Sequence, residues 1–279
     1  MGATDISLAI EELSRADAPA GLALSDEAGW NQTLDDWRVF LEHGTVIGMR
    51  DGEDRVIATA ALLPSPPVTW ISMVLVTATW RRRGLANALM TRCIEAARAR
   101  RLEPWLDATP AGAAVYRPMG FTETGLSLAR LRRTRNASLA TKQAASAASL
   151  QKLLDADRRA MGFDRGGLIR SFAHRIGSAI YETDTAIGLV RAGRKARQIG
   201  PVYAEEETGA IALFQRILDE ESGSLVIDLS AAHPEAHEFL PSRGFIFERP
   251  FARMRFGDGA TKASGGSGEL IAVAGPEFG

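Results

Sequence analysis

The sequence predicts an α/β fold made of two similar halves, each with a mixed sheet. Two observations predict it. An apolar, β-branched run from Trp70 to Thr77 leads into a basic, glycine-containing turn, Arg81-Arg82-Arg83-Gly84, and then into an amphipathic stretch ending at Arg101. A strand followed by a turn and an amphipathic helix is one α/β building unit. The second observation is that the unit recurs. The first half continues with Pro104–Ala108 (strand), Ala111–Met119 (short helix), then Gly120-Phe121 and a strand. The second half runs Ala196–Ala204, Glu206–Glu220, Ser224–Leu229, Pro234–Ser242, then Gly244-Phe245 and a strand to Phe256. Asp107 matches Asp228, and the period exceeds that of a solenoid, so the chain reads as one duplicated fold.

The other elements follow in order. Asp5 to Ser14 alternates apolar and polar and predicts a first strand. Asp26 to His43 places Trp30, Leu34, Trp37 and Phe40 near helical spacing, giving one or two helices with the tryptophans facing the core. Thr45–Arg50 and Arg55–Leu63 flank Asp51-Gly52-Glu53-Asp54 and predict a hairpin. Pro64-Ser65-Pro66-Pro67 is expected as a loop. Arg132 to Ala148 is basic, then Ser/Ala-rich, and fits a linker; Gly257 to Gly268 fits a mobile loop.

With 279 residues the chain can hold two cores. A net charge of −1 gives no electrostatic argument for nucleic acid or an anionic membrane. Cys93 is the single cysteine, so no intrachain disulfide forms. The start, Met1-Gly2-Ala3-Thr4-Asp5, lacks the pattern of a secretion signal, and no run approaches the roughly 18 apolar residues of a membrane span. The expectation is a cytoplasmic enzyme, with a homodimer compatible with the sequence. His233 and His237 have helical i,i+4 spacing, but Pro234 puts His233 at the helix start and no third ligand is evident, so no metal site is expected.

The turn Arg81–Ala86 and its context resemble the GNAT (Gcn5-related N-acetyltransferase) family. Arg81, Gly84 and Ala86 fill the fixed positions of its acetyl-CoA signature, and "LDATPAGAAVYRPMGF" resembles the segment carrying its tyrosine. The second half resembles the C-terminal GNAT-like domain of YitH-type acetyltransferases, through Arg194–Pro201 and the closing "GELIAVAGPEFG". The resemblance implies two tandem GNAT-like mixed-sheet acyl-CoA N-acyltransferase domains. They divide as residues 1–133, which bind acetyl-CoA, a linker at 134–148, and residues 149–279, a degenerate copy.

For the site residues the resemblance implies this. Backbone groups of Val74 and Val76 pair with the pantetheine arm. Backbone N–H groups of Arg82, Arg83, Gly84, Leu85 and Ala86 hold the pyrophosphate at a helix N-terminus, with Asn87 as a further donor and the arginine side chains adding charge. Tyr116 is the general acid. Asp107 either faces the acceptor or caps the turn before Pro110. The base is unassigned, with His174 and Glu182 as conceivable choices. The second copy has Glu205-Glu206-Glu207 in place of the basic turn and Leu240 in place of Tyr116, so it is expected to bind no cofactor. It is expected instead to shape the acceptor pocket, its carboxylates attracting a cationic amine. The implied acceptor is a primary amine of a small molecule or peptide. A non-catalytic acyl-CoA sensor is the alternative.

Overall fold

The computed structural model describes residues 8–135, 146–257 and 269–279. Strand β1 (Glu11–Glu12), helices α1 (Ala18–Glu27) and α2 (Leu34–His43), and strands β2 (Thr45–Arg50), β3 (Val56–Ser65) and β4 (Val68–Val76) come first. They are followed by α3 (Leu85–Ala99), β5 (Glu103–Ala108), α4 (Pro110–Tyr116) and β6 (Phe121–Arg133). The second half contains α5 (Ala147–Met161), α6 (Gly166–Ala173), β7 (Ala179–Glu182), β8 (Ala186–Arg191), β9 (Arg197–Ala204) and α7 (Glu207–Glu220). It ends with β10 (Leu225–Ser230), α8 (Pro234–Ser242), β11 (Ile246–Phe256) and β12 (Leu270–Ala272). The fold is mixed α/β, as the alternating pattern predicts.

All of these strands join one sheet, in the order β1-β2-β3-β4-β5-β11-β6-β10-β12-β9-β8-β7. The two halves exchange their closing strands. β11, from the second half, lies antiparallel beside β5 of the first. β6, from the first half, lies antiparallel beside β10 of the second. β6 and β11 pair with each other at the centre, with Leu128 opposite Phe251.

Each half packs its long helix on the sheet. The α3 stripe of Leu89, Met90, Cys93, Ile94 and Ala97 meets Ile57, Ile71 and Leu106. The α7 stripe of Ala210, Leu213, Phe214 and Ile217 meets Val202 and Ile227. A third cluster joins the halves: Trp37 and Phe40 of α2, Leu153 of α5 and Phe172 of α6 pack with Phe278 of the closing segment. Burial of apolar area on this scale is the main favourable term in folding.

Several details differ from the sequence expectations. Pro64 and Ser65 belong to β3, paired with Thr69 and Val68, and only Pro66-Pro67 forms the turn. A proline is tolerated there because β2 begins opposite Leu62, so no neighbouring strand needs an N–H from Pro64. The region from Asp26 to His43 contains the end of α1 and all of α2, the latter capped by Thr33 and Asp36 in a reciprocal box. Of the strand expected at Asp5–Ser14, residues 1–7 lie outside the described residues, and the described part pairs with β2 only at Glu11 and Glu12. The expected linker and the 257–268 loop lie largely outside the described residues. No helix among the described residues is long and apolar enough to cross a membrane.

Candidate active site

The site forms where β4 and β5 part. They pair in parallel only from Val68–Trp70 against Glu103–Trp105. Beyond Trp70, β4 has no β5 partner, and its edge carries Val74 and Val76. A bulge helps to turn this edge: Ser72 and Leu75 oppose Ala61 and Thr59, so β4 has one residue more than β3, and Met73 adopts φ 52°. The Thr59 hydroxyl donates to the Met73 carbonyl at 2.9 Å and holds the bulge.

The expected phosphate turn follows. Gly84 is the N-cap of α3 with φ 80°, and nothing lies within 4 Å of where its Cβ would be. The left-handed backbone favours glycine, and the open space lets a ligand approach the main chain. Among the described residues, the N–H groups of Arg82 through Asn87 find no acceptor. Six consecutive free amides at a helix N-terminus, with basic side chains beside them, suit a pyrophosphate.

The three arginines divide their work in a way the sequence did not indicate. The Arg81 Nε donates to the Val76 carbonyl at 3.0 Å, and its guanidinium lies 3.8 Å from Glu27. Arg83 donates to the Thr79 carbonyl at 3.2 Å and stacks 4.6 Å over Trp80. These two brace the loop. Arg82, at φ 61°, has no side-chain hydrogen bond or ion pair among the described residues. Glu27 ties the loop to α1: it accepts from Thr77 and from the Ala78 N–H, and these bonds, with Arg81 nearby, lower its pKa.

Val74, Val76, Arg81, Arg82, Gly84, Leu85, Ala86 and Asn87 all line one groove of about 450 Å³, with Trp30, Trp80 and Val115; Arg83 does not. The groove shares Trp30 and Val74 with a second cavity of about 270 Å³ that is lined by Tyr116. Tyr116 ends α4, a helix capped by the Thr109 hydroxyl through Gly112 N–H. Its phenol has no hydrogen-bond partner among the described residues, and burial pushes its pKa up to about 12, which keeps it a proton donor. Cys93 is a buried core thiol, pushed to about 12 by the same cause.

Asp107 does not cap the turn; it stands in the wall of the Tyr116 cavity. Thr109 makes the cap, and the Asp107 carboxylate receives a two-pronged bond from Arg253 of β11, both contacts at 2.9 Å. His174 and Glu182 do not reach the Tyr116 cavity; Glu182 accepts from Lys152 at 3.2 Å on another face. Glu205–Glu207 also lie away from it, and Glu207 accepts from the Ala236 N–H at 2.7 Å, capping α8. The tryptophans split: Trp37 is in the core, while Trp30 faces the groove and cavity. His233 and His237 bond the Leu270 and Ser230 carbonyls.

The second half has the matching split, and its own chain fills it. β9 and β10 pair in parallel from Arg197–Ile199 against Leu225–Ile227. Beyond that, β12 enters between them, antiparallel to both. The equivalent of the first-half groove is therefore closed by Leu270–Ala272, and Leu240 is buried where Tyr116 has its counterpart. After β12 the chain crosses to the first half and places Glu277 in the wall of the Tyr116 cavity. No periodicity marks Glu277, because it lies in an irregular Gly-Pro-Glu-Phe-Gly segment.

A sequence model of the GNAT acetyltransferase family matches residues 9–121, and a second GNAT acetyltransferase domain model matches residues 153–266. No curated protein matches the chain in sequence. Among solved structures, a proposed acetyltransferase from Pyrococcus horikoshii superposes with a TM-score of 0.80 at 16% identity, over 100% of this chain and 98% of the other. A tandem GNAT protein from the clavulanic acid biosynthesis pathway gives 0.62 at 16% identity, over 91% and 100%. A GCN5-related N-acetyltransferase from Sphaerobacter thermophilus gives 0.61 at 14% identity, over 89% and 95%. At these identities the structures establish the shared fold, and the two sequence models establish the kinship: the chain belongs to the GNAT acetyltransferase family, with two GNAT domains in tandem.

Proposed function

We propose that the protein transfers an acetyl group from acetyl-CoA to a primary amine of a small molecule or peptide by direct attack, with Tyr116 as the general acid. The observation that carries this reading is continuity. A groove with free amides at one end opens, past Val74, into a cavity that holds an unpartnered phenol. In this reading the amides of Arg82–Asn87 take the pyrophosphate, and the unpaired edge of β4 takes the pantetheine arm as an added strand. The thioester then lies in the cavity beside Tyr116. As the amine nitrogen bonds to the carbonyl carbon and the C–S bond breaks, the phenol gives its proton to the departing sulfur. The filled split between β9 and β10 supports one cofactor site per chain. The buried thiol of Cys93 needs no oxidising compartment, which fits a cytoplasmic enzyme.

An acyl-CoA sensor would need the amide-rich turn but neither Tyr116 nor an enclosed cavity for a second ligand. A panel of primary amines, assayed for release of free CoA and for acetylated product by mass spectrometry, separates the two. Amine-dependent CoA release is expected. Acetyl-CoA binding without turnover on any amine favours the sensor, and no binding removes both readings.

A further inference from the structure

The closing segment is fixed at both sides of Glu277. The Val273 N–H donates to the Asp228 carbonyl at 3.1 Å, and Trp70 Nε1 donates to the Pro276 carbonyl at 3.0 Å. Phe278 stacks on Phe40 at 4.8 Å, and Arg165 donates to the carbonyls of Phe278, at 3.0 Å, and Gly279. Gly275 has φ 144°, and a Cβ there would come within 2.9 Å of the Glu277 carboxylate. The segment therefore aims this one side chain, with 12% of its side-chain surface exposed.

The wall of the cavity that Glu277 lines includes polar groups without partners. Gln32 and Ser72 line this cavity, and Gln32 Oε1 and Ser72 Oγ are buried with no partner among the described residues. The Glu277 carboxylate accepts no hydrogen bond from a described residue; its nearest cation, Arg191, is 3.9 Å away. Such unpaired groups carry a cost that a ligand can relieve. A group with several N–H donors and a positive charge, an ammonium, suits the Glu277 carboxylate, with polar side chains beside it in the wall. The cavity wall also contains a cation without a carboxylate. Arg249 has no hydrogen bond or salt bridge among the described residues, and its guanidinium lies 5.9 Å from the centre of the Phe251 ring. Its neighbour Glu248 is committed to Arg132.

We propose that the acceptor is a zwitterion of the amino-acid class. Its ammonium is bound and deprotonated by Glu277 with Gln32 and Ser72 alongside, and its carboxylate is held by Arg249. The proposal rests on the acetyl-transfer reading above. Two protons leave the nitrogen. The first goes from the ammonium to the Glu277 carboxylate and on to water, freeing the lone pair that bonds to the thioester carbon. The second leaves after that bond forms and replaces the proton that Tyr116 gives to the CoA sulfur, so both side chains return to their starting states. Burial raises the carboxyl of Glu277 against the pull of Arg130 and Arg191, which makes it a stronger base than an exposed glutamate.

The test is calorimetry on the full chain saturated with CoA. Matched series are titrated in: α-amino acids with neutral, acidic and basic side chains, their carboxamides, and the amines lacking the carboxylate. At least one amino acid is expected to bind about tenfold or more tighter than its carboxamide, since a charge-assisted pair is lost in the latter. Arg249→Gln should erase that preference, with Arg249→Lys keeping part of it. Glu277→Gln should weaken the amino acid about tenfold while CoA affinity is unchanged, and should flatten the rise of kcat/KM with pH. Carboxamides or plain amines that bind as well as the acids, or a full series that does not bind, overturn the proposal. The acetyl-transfer reading fails separately, if CoA itself does not bind or no amine is acetylated.

Discussion

Arg253 of β11 reaches across the junction of the two halves and grips Asp107 of β5, Nε to Oδ1 and Nη2 to Oδ2, both at 2.9 Å. The same grip recurs the other way round: Arg130 of β6 holds Asp228 of β10 at 2.7 and 2.8 Å. In each pair the residues stand directly opposite in antiparallel register. Each half thus supplies an aspartate on its inner strand and an arginine on the strand it lends. All four side chains are buried, so each charge depends on its partner. Arg253→Ala should lower the unfolding free energy by about 3–5 kcal/mol, because Asp107 is left buried and unpaired. Replacing both, as Asp107→Leu with Arg253→Met, should cost much less. Urea denaturation of the single and double variants measures this; additive losses would mean the pair is not coupled.

Much of the first half was legible in the sequence, because its signals are local. The periodicity of Leu85–Ala99, the glycine at 84 and the Gly120-Phe121 pair each constrain their own segment. The match between Asp107 and Asp228 was legible too, as a repeat. Their partners were not, because a strand pattern states that β6 is extended but not which strands it joins. The filling of the second split by β12 was hidden for the same reason. Glu277 was hidden more deeply: its placement depends on contacts such as that of Trp70 with Pro276, which are 206 residues apart in sequence. The loop contacts of Arg81 and Arg83 were not legible, because a run of arginines shows charge, but not which members also bond to their own loop.

Tyr116→Phe should lower kcat by about 10²–10⁴-fold while leaving acetyl-CoA affinity near wild type. The hydroxyl has no partner among the described residues, so its removal breaks no bond in the folded chain. Steady-state kinetics alongside cofactor titration makes the comparison. A variant with wild-type turnover would leave Tyr116 as a packing residue.

The pH profile follows from the same burial. With its pKa near 12, Tyr116 stays protonated well beyond the value near 10 of an exposed phenol. An acid that must be protonated gives a falling limb only as pH passes its pKa. kcat should therefore show no Tyr116-dependent fall between about pH 8 and 10. A falling limb near 10 that disappears in Tyr116→Phe would contradict the burial argument.

Calorimetry with acetyl-CoA should give one site per chain. The first split is open and lined by free amides, while the second is occupied by Leu270–Ala272. Arg82→Glu should weaken binding only about two- to fivefold, since this side chain is exposed and its phosphate contact would be screened. Two equivalent sites would require β12 to leave its place. A hundredfold loss in Arg82→Glu would mean the loop closes over the phosphate and excludes water.

The strand exchange makes a further prediction about the halves. Residues 8–135 alone would keep β1 to β5 and α3, but β6 pairs only with β10 and β11, both from the second half. β5 would lose β11 and stand as a bare edge beside the split. The fragment would also lose Phe278, which fills the space between Phe40 and Phe172. An unpaired edge with an incomplete core favours association over a stable monomer. The fragment 1–135 should therefore be unfolded or aggregated by size-exclusion chromatography and circular dichroism. Co-expression with 136–279 should restore a one-to-one complex that binds acetyl-CoA, because the missing strands return in trans. A monomeric, cooperatively folded 1–135 with full cofactor affinity would show that the exchanged strands are not needed for the first half to stand alone.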